Sequence, residues 1–331
     1  MIVKASYWKK LNNNNIVQCL LCPSECVIKE GKTGNCGSRI NRNGKLVTEN
    51  FGELVSACYD PIEKKPLYHF YPGSSIFSTG ANGCNFSCDN CQNWEISQTK
   101  VPTRYVSPED LADLAGRGDS IGIAYTYTEP LIWFEYIMQV GRLIKERGLK
   151  NVLVTNGFIN PDPLKELLPL IDAANIDLKG MKPQFYKKVC KGRLEPVLDN
   201  IKRFHEAGIH IEITNLVITD LNDSDEDFEK LIDFVASISK DIPLHFSAYY
   251  PTYKMSNPPT SPMKLLRAYE LAAKKLDYVY LGNVRLEGKG DTYCPQCRKT
   301  LIRRNGYMTE ITGLDSSKCA NCGHKINIIR D

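Results

Sequence analysis

Between residues 75 and 285, short β-rich runs alternate with longer amphipathic stretches, and this alternation limits the fold more than any other feature. The runs cover 75–79, 121–127, 151–155, 174–178, 209–218, 243–249 and 278–281. Ser107-Pro108-Glu109-Asp110 opens one intervening helix with a side-chain N-cap, a proline at the first helical position and early acids. Residues 131–146 read as a long helix stopped by Gly148, and 194–207 and 225–238 keep apolar residues at three- and four-residue spacing. Ser261-Pro262 opens another helix. Strands separated by helices form a parallel sheet or barrel with the helices outside. Functional groups then belong in the loops that follow the strands.

The loop after the first run carries Gly83-Cys84-Asn85-Phe86-Ser87-Cys88-Asp89-Asn90-Cys91, a C-x3-C-x2-C spacing. Three cysteines this close, separated by Asn, Ser and Asp, do not read as core. The spacing is uncommon for zinc, although a distant fourth ligand would complete such a site. A 4Fe–4S cubane fits better, because three thiolates leave one iron open to bind a cofactor or substrate. Cys84, Cys88 and Cys91 are therefore the expected ligands of a reactive cluster.

Eleven of the 13 cysteines fall into three tight groups, leaving Cys58 and Cys190 alone. In a chain without an apolar leader, such groups read as metal ligands in a reducing cytoplasm rather than as disulfides. Residues 1–55 form a small cysteine-rich region in which Cys19, Cys22, Cys26 and Cys36 supply four thiolates among turn-forming residues. So short a segment buries little apolar area, so a metal is the expected staple: zinc or an auxiliary Fe–S cluster. Residues 12–15 read as a polar turn. Residues 56–74 form a proline-rich connector containing His69, read either as a strap across the barrel end or as one wall of a substrate entrance. Past Gly288, Cys294 and Cys297 pair with Cys319 and Cys322 as the two knuckles of a zinc ribbon, with a rubredoxin-like iron site as the alternative over 286–331. Arg298, Lys299, Arg303 and Arg304 lie between the knuckles and keep RNA among the candidate partners.

A net charge of +4 over 331 residues neither demands nor excludes nucleic acid. No apolar run is long enough to span a membrane, so none is expected as a partner.

The cysteine loop resembles that of the radical S-adenosylmethionine (SAM) superfamily, and the strand ends resemble its pyruvate formate-lyase activase-like branch. More narrowly, Cys19–Cys36, the 60–73 stretch, 83–98, 125–130, 245–255 and the terminal ribbon resemble AmmeMemoRadiSam radical SAM proteins. The resemblance implies a partial (β/α)6 TIM-like barrel over 75–285. It also implies SAM bound to the open iron through its amino and carboxylate groups, and one-electron cleavage of SAM to a 5′-deoxyadenosyl radical that abstracts hydrogen from a substrate. The SAM contacts it implies are Glu129 after the second strand, Thr155 and Asn156 after the third, Asp177 and Lys179 at the end of the fourth, and His245 on the sixth. Asp177 and Lys179 alternate with apolar residues and so share one face. The chain departs from the pattern at Asn90, where an aromatic residue usually stands, and at Val154, where activases have Asp.

The expected function is hydrogen abstraction from a protein or small molecule, with an activase-like protein substrate as one candidate. An external one-electron reductant of ferredoxin or flavodoxin type would be needed. The alternatives are a radical SAM enzyme that modifies RNA, using the ribbon as a clamp, and a metal-binding scaffold without catalysis.

Overall fold

The computed structural model describes residues 1–11 and 15–330, so most of the turn expected at 12–15 lies outside the described residues. All seven expected runs are strands, and they line up in chain order in one sheet. We label its strands β1 (Ser56–Pro61), β2 (Ser75–Gly80), β3 (Ser120–Tyr125), β4 (Lys150–Thr155), β5 (Ala173–Asp177), β6 (His210–Val217), β7 (Leu244–Ala248) and β8 (Val279–Gly282). β2 to β8 are parallel, and β1 is an antiparallel edge strand on β2. Six strand–helix units are thus followed by a seventh parallel strand. Among the described residues no ladder joins β1 to β8.

The helices follow the capping signals. α1 (Pro108–Ala115) starts on Ser107, whose side chain accepts from Asp110 N, and α5 (Asp225–Ile238) starts on Ser224 in the same way. α2 (Phe134–Glu146) is preceded by a 3-10 turn, Pro130–Trp133, that takes the place of the first turn of the expected 131–146 helix. α3 (Pro161–Leu167), α4 (Glu195–Glu206) and α6 (Pro262–Ala272) complete the crossovers.

The connector is a strap across the N-terminal ends of the parallel strands, more deeply buried than a surface segment. Its first residues form β1, and Ile62, Leu67 and Phe70 are buried against Ile76, Val152 and Ala173, near the N-terminal ends of the strands. His69 is fully buried, with Nδ1 2.6 Å from Asn327 O and Nε2 2.6 Å from Tyr280 Oη. It is a core residue and lines no entrance.

The described residues of 1–55 form two small three-stranded antiparallel sheets, and Glu53–Leu54 pairs with Arg104–Tyr105. They dock near the opposite, C-terminal end of the parallel strands. Asn160 N donates to Leu21 O at 3.0 Å, and buried Arg39 pairs with Glu135 on α2 at 2.5 Å. The C-terminal region packs Cys294, Leu301, Ile302, Cys319 and Ile326 with Tyr278 and Tyr280. Among the described residues no helix is long and apolar enough to cross a membrane.

Candidate active site

The Cys84–Cys91 loop leaves β2 at Gly80 and is held by a buried side chain and by backbone. Phe86 is 1% exposed and packs on Phe158 and Tyr186. Gln98 Nε2 donates to Phe86 O at 3.1 Å, Ser87 N to Cys190 O at 3.1 Å and Asp89 N to Val189 O at 3.0 Å. From another side Lys254 N donates to Asp89 O at 3.0 Å, and Tyr253 stacks on Trp94 with ring centroids 5.1 Å apart. The loop is therefore fixed by the segment after β5 and by the segment after β7.

Each sulfur has polar company. Phe86 N lies 3.4 Å and Asn156 Nδ2 3.9 Å from Cys84 Sγ, and Ser97 Oγ lies 3.1 Å from Cys91 Sγ. Burial raises the Cys84 thiol well above its ordinary range, with Glu129 adding to it, and burial also raises Cys91. Cys88 is lowered, first by its hydrogen bond with Cys190 and further by Lys179. Cys190 stands alone in the sequence, without an expected role. It ends a π-helical turn, Tyr186–Cys190, and its thiol adjoins a candidate ligand. A lone cysteine in an amphipathic stretch carries no signal that would have found it.

The strand ends bring the acids and the lysine to the same place. Glu129 is buried. Its Oε1 accepts from Leu131 N at 3.0 Å and Thr155 Oγ1 at 2.6 Å, and its Oε2 accepts from Asn156 N at 2.8 Å. Four acceptor positions less these three leave one, on Oε2. Burial pushes its carboxyl up to about 7, against the lowering effect of those donors. Thr155 and Asn156 thus spend their polar groups on the site itself: Thr155 on Glu129, and Asn156 on Asn85 Oδ1 at 2.8 Å and toward Cys84.

Lys179 Nζ lies 3.0 Å from Asp177 Oδ2, so the alternation along the strand does put both on one face. Burial alone would lower the lysine, but Asp177 and the Cys88 and Cys190 sulfurs raise it well above its ordinary range. Asn215 Nδ2 donates to Leu178 O and Asn222 Nδ2 to Lys179 O, which fixes this strand end.

His245 stands apart from this group. Its Nε2 lies 2.6 Å from Glu212 Oε2, and its ring packs against Tyr68 and Tyr280. Glu212 also meets His210 Nε2 at 3.1 Å and accepts from His69 N at 2.7 Å. The histidine expected at the cofactor belongs to a buried network linking strands to connector.

The cations expected to form a clamp are not all available. Arg304 has a 1% exposed side chain and donates to Tyr68 O, Gly290 O and Thr292 Oγ1. It joins the C-terminal region to the connector. Cys294 Sγ is 3.6 Å from Cys322 Sγ and Cys297 Sγ 3.6 Å from Cys319 Sγ, and all four sulfurs lie within 4.8 Å of one another. A tetrahedral ion with bonds of about 2.3 Å holds its sulfurs at about this separation.

A family model described as the radical SAM superfamily matches residues 79–235, from the end of β2 into α5. Uncharacterized protein MJ0808 of Methanocaldococcus jannaschii is 43% identical over 98% of this chain and 99% of its own length. The chain belongs to the radical SAM superfamily. Within that superfamily it is similar to the activating enzymes. The 4-hydroxyphenylacetate decarboxylase activating enzyme of Clostridium scatologenes is 26% identical over 45% of this chain and 52% of its own length. The pyruvate formate-lyase-activating enzyme of Clostridium pasteurianum is 24% identical over 47% of this chain and 67% of its own. Among solved structures, a radical SAM methyltransferase from Sphaerobacter thermophilus shares the fold with a TM-score of 0.50 and 16% identity, over 64% of this chain and 67% of that one. Members of this superfamily are enzymes, and the fold implies a 4Fe–4S cluster and SAM. The residues present fit both. Three sulfurs, two with N–H or hydroxyl neighbours and the third beside the Cys190 thiol, stand near a buried carboxylate with one acceptor position open and a lysine paired with an acid.

Proposed function

We propose that this chain is a radical SAM enzyme in which Cys84, Cys88 and Cys91 hold a 4Fe–4S cluster and the ends of β3, β4 and β5 grip SAM. The observation that carries this reading is the convergence of Glu129, Asp177 and Lys179 on the three-cysteine loop. The cluster would supply one electron to bound SAM, splitting it into methionine and a 5′-deoxyadenosyl radical able to take hydrogen from the substrate. The chain's own residues bind and orient. Glu129 offers its remaining acceptor to the SAM amino group, and Lys179 its charge to the SAM carboxylate. Asp177 holds Lys179 in place. Thr155 and Asn156 act behind them, aiming Glu129 and steadying Cys84. His245 acts only through the fold.

Similarity to activating enzymes supports a protein substrate and an external one-electron reductant of ferredoxin or flavodoxin type. The six strand–helix units support a partial (β/α)6 barrel as the frame, and the sulfur spacing at the C-terminal site supports zinc. A reducing cytoplasm suits this many free thiols. RNA modification loses support because Arg304 is buried.

The test is anaerobic reconstitution with dithionite and SAM, measuring 5′-deoxyadenosine. Wild type releases it and a Cys88→Ala protein does not. None from wild type would leave the scaffold reading, and equal amounts from both would remove Cys88 from the cluster.

A further inference from the structure

The N-terminal cysteines are arranged differently from the C-terminal ones. Cys19, Cys22, Cys26 and Cys36 all line one cavity, together with Arg39 and Asn85. The four C-terminal sulfurs form a group compact enough for a single ion. Among the described residues, no three of these N-terminal thiols stand that close to one another. A cubane needs this wider arrangement, because each thiolate points at a different iron around a common centre. A zinc ion would require all four sulfurs in one tetrahedron.

The cavity wall suits an anionic group. Arg39 is 1% exposed, its Nη1 lies 4.0 Å from Cys19 Sγ, and its Nε has no hydrogen-bond partner among the described residues. Asn35 N lies 3.4 Å from Cys26 Sγ and Ser38 Oγ 3.3 Å from Cys36 Sγ. Donors to cluster sulfurs tune an Fe–S site. The Arg39 charge is shared with Glu135, so the fold holds it in place with or without a cluster.

The cavity abuts the reactive loop. Gly83, with φ +103°, passes so close to Cys36 that a Cβ would lie 2.3 Å from the Cys36 carbonyl oxygen. Glycine is needed there on both counts. Asn85 lines the cavity and bonds Asn156, whose Nδ2 also approaches Cys84.

We propose that the N-terminal cysteines hold a second 4Fe–4S cluster, ligated by Cys19, Cys22, Cys26 and Cys36 and adjacent to the Cys84–Cys91 site. Four thiolates close all four irons, so this cluster stores and passes electrons and binds no substrate. Its role as a relay rests on the function proposed above, whereas its existence does not. It takes one electron from a ferredoxin- or flavodoxin-type carrier, which is thereby oxidised, and gives one electron to the neighbouring cluster.

The experiment uses the full chain with all three of Cys84, Cys88 and Cys91 changed to Ala, purified and reconstituted anaerobically. Iron, sulfide and zinc are counted, and Mössbauer and EPR spectra are recorded with and without SAM. We expect about four irons and four sulfides per chain, a cubane spectrum and no response to SAM. Wild type should hold about twice that iron, with SAM perturbing one cluster and mutual broadening of the two signals on full reduction. A Cys22→Ser/Cys26→Ser protein should keep only the SAM-responsive cluster. Absence of iron from the triple variant, or a second zinc per chain in its place, overturns the proposal. So does the absence of spectral interaction between two reduced clusters in wild type. If wild type ignores SAM but the triple variant still carries its cubane, the proposed function and the relay role fail and the second cluster itself stands.

Discussion

Lys179 Nζ rests 3.0 Å from Asp177 Oδ2, two residues back along the same strand end, and this pair adjoins Cys88. The pair is partly open, with side chains 24% and 38% exposed. A partly exposed charge held beside the cysteine loop is poised for a carboxylate ligand. Lys179→Met should weaken SAM binding roughly ten- to hundred-fold, the loss of one charge-assisted hydrogen bond. Iron content should not change. Titration of SAM against the EPR signal of the reduced cluster reads both, and an unchanged affinity would remove Lys179 from the binding site.

Glu129 gives the site a pH dependence. Its carboxyl is raised to about 7, chiefly by burial, so near neutrality it is only partly ionised. An amino ligand selects the ionised form. SAM affinity should therefore rise as pH increases through about 7, levelling off once Glu129 is charged. Glu129→Gln should bind SAM more weakly and with a flatter pH profile. The same EPR titration at pH 6, 7 and 8 decides it, and a wild-type profile independent of pH would contradict this role.

The parallel sheet was legible because each element carries a local signal: apolar runs, proline after serine, glycine stops. The three-cysteine loop stood out by its spacing alone. What the sequence hid were partners across space. Nothing near Cys190 marks it as a neighbour of Cys88, since the π-helical turn that delivers it depends on tertiary packing. Asn85 is one of the polar residues between the cysteines in sequence, yet in space it bridges two cysteine groups. The partners of His245 were hidden for a related reason. Position along a strand suggests a level in the sheet, but the side chain turns to whichever partner is buried with it, here Glu212. Arg304 looked like a surface cation because its neighbours are polar, yet an aromatic pair and three acceptors take it inside.

The buried network around His69 predicts sensitivity to acid. Burial lowers His69 from 6.5 to about 4. The fold therefore favours its neutral form, and between those values the unfolded chain binds the extra proton. This contribution is fully present above about pH 6.5 and is lost as pH falls toward 4, up to roughly 3 kcal/mol. Glu212 acts in the same direction: burial would raise it, but His210 and His245 hold it well below the carboxylate range. Melting temperature should fall steadily from pH 7 to 5, and less steeply in His69→Gln, which cannot gain the proton. Identical slopes would mean that the network does not set acid stability.

The C-terminal region should depend on its metal. Cys294 and Cys319 are buried in a small core with Leu301, Ile302 and Ile326, and the strands around it are short. So little apolar area does not hold a fold alone, and an ion drawing four sulfurs together supplies the remainder. Arg304 then ties the region to Tyr68 O at 2.7 Å. We expect about one zinc per chain in purified protein, from a closed four-thiolate site. Chelation, or Cys319→Ser, should release it and open residues 286–331 to limited proteolysis while the parallel sheet stays protected. If the region resists protease without metal, packing against the connector suffices and the ion is dispensable. Iron in place of zinc would identify a rubredoxin-like centre.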